Sequence, residues 1–443
     1  GSIEGTEFVY RVEDGESTLT VLEGVVVASN DQGSASVSGG ESVAAAAGQA
    51  PQPRTVVRPR DAAQWSLYYP PILATGRGDD STISPVLSQA ASDLSVGRVD
   101  EARAMVDQAI ADNEGAGLAY ALRAVIAVVQ NQREQALVDA RQGVALSPDS
   151  AAAAIALSYA LQANFQINEA RDVLQQAVAQ HPDDALALAR LAELQLMLGD
   201  RRQATATAQQ AAALAPDLGR TQITLGFAAL AEFRNNEAAV AFEKAIALDS
   251  ADPLPHLGLG LARISAGNLE SGRSELELAV GLNSNDALLR SYLGKAYYEE
   301  KRTPLDFQQY DIAKQLDPLD PTAYLYSGIA KQTVNRPVEA VEDLQKSIEL
   351  NDNRAVFRSR LLLDKDRAAR GTSLARAFND LGFAQLGVNE STGSLSVDPA
   401  NASSHRFLSD TYQGVRRREI SRVSELFQAQ MMQDVNINPV QPS

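Results

Sequence analysis

A chain of 443 residues exceeds the roughly 100–200 residues of one compact domain, so it holds either several domains or one elongated array with appendages. Its formal charge of −17 argues against nonspecific binding along a nucleic-acid backbone, which needs a basic surface to displace counterions. With no cysteine, structural disulfides, thiolate zinc sites and cysteine nucleophiles are excluded, while 45% hydrophobic residues but only 5% aromatics suit closely packed helices.

The chain begins Gly1-Ser2, which reads as a cloning scar, so the sequence is expected to be a piece of a longer protein. Residues 3–50 alternate in β fashion between turn residues: Phe8-Val9-Tyr10-Arg11-Val12, then Asp14-Gly15, then Leu19-Thr20-Val21, then Gly24-Val25-Val26-Val27. A small β-domain is predicted over 1–53, with 44–53 as a loop. The phrases Gly5-Thr6-Glu7-Phe8, Val21-Leu22-Glu23-Gly24-Val25 and Gly39-Gly40-Glu41-Ser42-Val43 resemble part of the FecR domain, a periplasmic β-domain. That resemblance implies a location in the bacterial cell envelope and a part in signalling or in binding envelope components.

Residues 54–82 form a linker that carries the only tryptophan, Trp65, with Tyr68-Tyr69-Pro70-Pro71 close behind. Such a cluster either docks the β-domain onto the downstream part of the chain or contacts a ligand.

From residue 83 the period decides the fold. Pro148, Pro182 and Pro216 are 34 apart, and Pro318 lies three further periods on. In this register the eighth position is always small: Ala90, Ala124, Ser158, Ala192, Gly226, Gly260, Gly294 and Gly328. The twentieth (Ala102 through Ala340) and twenty-seventh (Ala109 through Ser347) are small as well, and of these twenty-four sites only Asp306 is charged. Bulkier residues such as Leu174, Phe242 and Tyr310 recur at the twenty-fourth. This pattern resembles the tetratricopeptide repeat (TPR) family, eight times over 83–354. It implies a mostly α chain, a right-handed TPR α-solenoid of helical hairpins, with the small β-domain ahead of it.

Thr303-Pro304 predicts a late start for the second helix of the seventh repeat. Residues 355–433 read as degenerate TPR-like repeats with a capping helix. Within them, 354–370 is an extra helix or connection, the second helix of a ninth repeat is shortened to about 390–397, and 402–412 opens a tenth unit. The segment 418–431 puts Ile420, Val423, Leu426, Phe427 and Met431 on one side, either to seal the solenoid or to lie on a membrane surface. The tail 434–443 is extended.

Chemistry is not apparent in the sequence. The three histidines, His181, His256 and His405, show no paired spacing, and Gly258-Leu259-Gly260 falls inside a helix rather than between a strand and a helix. No catalytic, cofactor or metal residues are nominated, and the chain is read as no enzyme. The resemblance implies instead a concave face built from the second, fifth, ninth, twelfth and thirteenth positions of each repeat. There the chain carries Leu118, Val125, Val128, Leu186, Leu196, Met197, Ile223, Phe227, Leu230, Leu254, Leu257, Leu261 and Ile264. Such a face is either an apolar groove for a protein, a peptide or another copy of the chain, or a surface occluded by superhelical curvature or by the N-terminal domain folding back.

The expected function is a non-enzymatic docking scaffold of the cell envelope, periplasmic or at the cell surface and associated with the outer membrane through segments absent from this sequence. The alternatives are the periplasmic arm of an outer-membrane exporter of polysaccharide or protein, whose β-barrel would lie beyond residue 443, and a FecR-like signalling component.

Overall fold

The structure, a computed structural model, describes residues 7–13, 16–23, 25–38, 41–54, 68–73, 84–95, 97–350, 366–413, 415 and 418–433. Trp65, the segment 351–365 and the tail 434–443 lie outside these.

The N-terminal strands are β1 (Glu7–Glu13), β2 (Glu16–Glu23), β3 (Val25–Asn30), β4 (Gly33–Ser38), β5 (Ser42–Ala46) and β6 (Gln52–Arg54). They form an antiparallel sheet in the order β1-β2-β5-β6 and a separate β3-β4 hairpin. Alternation sets the faces: Val26 and Ala28 turn toward buried Leu19, Val21, Val37 and Val43, while Val25 and Val27 face out. The stretch expected to be a loop carries β5 and β6. Ala44, Ala45 and Ala46 pair with Thr18, Ser17 and Glu16 of β2, so an available strand edge overrides the poor β propensity of alanine.

The solenoid is built of eight hairpins: α1 (Pro85–Ser95) with α2 (Val99–Ala111), α3 (Ala116–Val129) with α4 (Arg133–Leu146), α5 (Ala151–Ala163) with α6 (Ile167–Gln180), and α7 (Ala185–Leu198) with α8 (Arg201–Leu214). The other four are α9 (Gly219–Ala231) with α10 (Asn235–Leu248), α11 (Pro253–Ser265) with α12 (Leu269–Leu282), α13 (Ala287–Glu299) with α14 (Leu305–Leu316), and α15 (Pro321–Thr333) with α16 (Pro337–Glu349). Each inner helix from α5 on starts after the last residue of the preceding repeat. Where that residue is Ser150, Asp184, Asp252, Asp286 or Asp320, its side chain accepts a backbone N–H of the first turn; Asp184 Oδ1, for example, takes Ala187 N at 2.8 Å.

Each hairpin bends at its fifteenth residue, always with positive φ: Gly97, Asn131, Phe165, Gly199, Phe233, Gly267, Lys301 and Asn335. α14 starts two residues later in its repeat than α16 does, after Pro304, as Thr303-Pro304 predicts.

The last four helices are α17 (Asp366–Asp380), α18 (Ala384–Val397), α19 (Ala402–Tyr412) and α20 (Glu419–Met431). The left-handed turn residue recurs at Gly382, 47 positions after Asn335 and so 13 beyond one period. The register therefore resumes after an insertion, and α18 is a full 14-residue helix rather than a shortened one. Residues 366–370 belong to α17.

The predicted apolar side of 418–431 does not seal the end of the solenoid. Ile420 (89% exposed), Val423, Phe427 and Met431 face outward, and Ala429 is the buried residue of α20. His405 Nδ1 lies 2.5 Å from Glu425 Oε2, and that contact turns the face bearing Glu425 and Ala429 toward α19.

Among the described residues no helix is long and apolar enough to cross a membrane, and no group of three or more His, Cys, Asp or Glu side chains could hold a metal ion.

Candidate functional site

The inner helices enclose a half-open cavity of about 250 Å³ on the concave side of the solenoid. Its apolar wall includes Val128, Val129, Leu254 and Leu288, and Arg133, Arg190, Glu193, Arg220, Asp286 and Asp320 supply charges of both signs. Arg133, at the start of α4, pairs at 2.5 Å with Asp317, after α14, and closes one side of the superhelix across 184 positions.

At the heart of the site two guanidinium groups and two carboxylates are buried together. Arg190 donates to Glu193 Oε2 at 2.8 Å, to Ser158 Oγ at 2.9 Å and to Gln162 Oε1 at 2.5 Å, with its guanidinium 3.8 Å from the centre of the Tyr159 ring. One Arg220 Nη donates to Glu193 Oε2 at 3.0 Å and to the Tyr159 hydroxyl at 2.8 Å, and the Arg220 Nε forms an ion pair with Glu193 Oε1 at 2.8 Å. Asp252 stands 3.5 Å from Arg220. Burial raises the Asp252 carboxyl to about 6, against the opposing pull of Arg220 and the N–H of Leu254. The set balances in charge, and removing one member would leave an uncompensated buried ion at a cost of about 3–5 kcal/mol.

The cavity is also where the linker goes. Tyr68 and Pro70 line it, and the Tyr68 hydroxyl donates to Asp249 Oδ2 at 3.1 Å, 181 positions away. Burial, then the negative charges of Asp252 and Asp249, hold that hydroxyl well above its ordinary value, so it stays a donor. Tyr69 (3% exposed) and Ile72 (4%) sink into the buried cluster that runs through the first four repeats. Burial raises the Tyr69 hydroxyl to about 12, a rise moderated by a side-chain hydrogen bond with Gln130 and by the charge of Arg103.

This geometry revises the open apolar groove. Val125, Leu186, Met197, Ile223, Phe227, Leu230, Leu257 and Leu261 are buried, packed within the two main core clusters rather than presented to a ligand. Leu118, Val128, Leu196, Leu254 and Ile264 are partly buried, and of the thirteen only Val128 and Leu254 line the cavity. The inner helices lie so close together that most bulky concave positions fill the seam between neighbours.

The apolar reading leaves out polar residues at the same repeat positions: Tyr159 and Glu193 at the ninth, Gln162 at the twelfth, Arg220 at the second. These were available in the sequence, whereas the arrival of Tyr68 beside Asp249 carries no local signal.

The histidines are structural. His181 Nε2 hydrogen-bonds the Asp149 carbonyl at 2.7 Å, and His256 Nδ1 lies 2.7 Å from Glu275. Gly258 and Gly260 make room for close packing: a Cβ on Gly258 would stand 2.2 Å from Phe242 Cζ, and one on Gly260 would stand 2.8 Å from the Gly272 carbonyl.

No protein-family model matches the chain, and no curated protein matches it. Among solved structures the chain is similar to the APC/C hetero-tetramer Cut9-Hcn1, with a TM-score of 0.61 and 12% identity over 78% of this chain and 72% of that one. The fold is a TPR solenoid. At that identity the likeness concerns the fold alone. A human IFIT1 dimer with PPP-AAAA is matched at a TM-score of 0.47 and 13% identity over 78% of this chain and 81% of that one. PilF of Pseudomonas aeruginosa is matched at 0.38 and 18% identity over 48% of this chain and 89% of that one. Neither of these two bears on what this TPR solenoid binds.

Proposed function

We propose that the chain is a non-enzymatic protein-binding scaffold that takes an extended polypeptide segment of a partner in its concave cavity. The observation that carries this reading is the make-up of the cavity wall, where Val128, Leu254 and Leu288 stand beside donors and acceptors of both signs. A polypeptide offers apolar side chains and a regular run of backbone N–H and C=O groups, and such a wall suits both. The Cut9-Hcn1 hetero-tetramer is a case of a protein of this fold in complex with another protein, which supports the general role.

A photo-crosslinking residue at Asn283 or Leu316, both lining the cavity, should form partner adducts in the source cell. The same residue at Val138 or Val240, exposed on α4 and α10, should not. Equal yields at all four positions would remove the cavity from the mechanism. Light scattering of the isolated chain shows whether a second copy supplies the segment.

The finer reading places the scaffold in the bacterial cell envelope. Its support is the resemblance of 1–53 to the FecR domain, and fractionation of the source cell tests it.

A further inference from the structure

We propose that residues 68–73 are an internal ligand of the concave cavity, and that the partner segment it stands in for is an extended peptide with two aromatic residues, two prolines and then an aliphatic residue. The inference rests on the protein-binding reading of the cavity and names the chemistry of what enters it.

Three observations carry it. The segment sits where a bound peptide would, spanning from Asp249, after the fifth hairpin, to Arg103 and Gln130 of the first two. It is held by side chains of the kind that distinguish one peptide from another: the Tyr68 hydroxyl on Asp249, the buried Tyr69 ring with its hydrogen bond to Gln130, and buried Ile72. The hairpins, meanwhile, also hold one another. Every hairpin from α1 to α16 closes on its own partner and on the next repeat, and a stack of nearest neighbours does not require a strap along its inner face.

Pro70 and Pro71 explain why such a segment suits the site. Each fixes φ and lacks an N–H, so the backbone is extended before it docks and loses little conformational entropy on binding. Tyr69 and Ile72 anchor the segment in the buried cluster of the first four repeats, and the Tyr68 hydroxyl distinguishes tyrosine from phenylalanine at the acidic end, where Asp249 and Asp252 stand.

Because the internal copy is covalently attached, its effective concentration is in the millimolar range for a short tether, and a free peptide of the same sequence must compete with it. The unaltered full chain should therefore bind a fluorescent peptide of residues 62–75 weakly. The full chain carrying Tyr69→Ala and Ile72→Ala should bind that peptide at least about tenfold more tightly, and a peptide with the same two alanines should lose that gain.

The milder full-length Tyr68→Phe chain, which loses only one hydroxyl, should gain about fivefold, the equivalent of one hydrogen bond. Equal affinity in the unaltered chain and both variants, or an alanine peptide that binds as tightly as the native one, overturns the proposal. So does loss of helical circular dichroism in the Tyr68→Phe chain, because the segment is then a structural fastening. The two readings fail separately: adducts at Asn283 without peptide binding remove only the internal ligand, and peptide binding without adducts removes only the partner.

Discussion

In repeats one to four the eighth position carries a Cβ, as Ala90, Ala124, Ser158 and Ala192, and the twenty-fourth is Val106, Ala140, Leu174 or Ala208. In repeats five to eight the eighth position is Gly226, Gly260, Gly294 and Gly328, and the twenty-fourth is Phe242, Leu276, Tyr310 and Leu344. A Cβ built on Gly226 would lie 2.6 Å from the Phe242 ring, and one on Gly294 would lie 2.6 Å from Tyr310. Volume removed from one side of the seam has been added to the other. The glycines thus make room for the larger partner across the seam, and one backbone period accommodates a half with a Cβ at the eighth position and a half with glycine there opposite Phe, Leu or Tyr.

The largest effect that tests this contrast is Phe242→Ala. The ring is fully buried, edge-on to Phe227 at 4.9 Å, and its loss should cost about 3–5 kcal/mol in a urea titration. Because repeats couple to their neighbours, hydrogen exchange should rise first in repeats five and six. The matching truncation in the other half, Ala208→Gly, should cost only about 1 kcal/mol, from helix propensity. Equal losses would end the volume argument.

Next comes the burial of cap carboxylates in the second half. Burial, with Asp317 and Asp286 adding to it, raises Asp320 to about 6 against the ordinary 3.8, while its hydrogen bonds to Thr322 oppose the rise. An acid whose pKa is raised by folding contributes stability that is complete below its unfolded value and is lost as pH rises through the folded one. The stability of the unaltered chain relative to Asp320→Asn should therefore grow, by about 2 kcal/mol, as pH falls from about 7.5 to 4.5. A flat difference in denaturation midpoints would mean that the carboxyl is well solvated.

Gly258→Ala should cost about 1–3 kcal/mol by overpacking Phe242, and Phe242→Leu in the same chain should recover part of it in a double-mutant cycle. Simple additivity would show that the two residues do not share the volume. The smallest effect is at the hairpin turn, where the fourth repeat has Gly199 and the fifth Phe233, both left-handed. Phe233 is 42% exposed, so Phe233→Gly relieves backbone strain of about 1–2 kcal/mol but gives up the partial burial of the ring, and the unfolding free energy in a urea titration should change by no more than about 1 kcal/mol.

The eight hairpins were legible because a solenoid writes its packing into a fixed spacing. The eighth, twentieth and twenty-seventh positions are small wherever helices close, with Asp306 the charged exception. The site was legible only in part. Concave positions could be counted off from the period, yet whether Phe227 faces a ligand or the neighbouring helix depends on how closely the inner helices approach. The outward turn of Ile420 and Phe427 depends likewise on the meeting of His405 with Glu425, twenty positions apart.

By itself the sequence determined the period, the hairpins and the small-residue seam, all of which arise from contacts within a repeat or between adjacent ones. Tertiary structure alone decided what meets across the inner face: the Tyr68 hydroxyl on Asp249 and the Arg133–Asp317 pair that closes the superhelix. The physical reason is accumulation. The superhelix is the sum of small rotations between successive repeats, and only that sum brings residues more than 180 positions apart into contact.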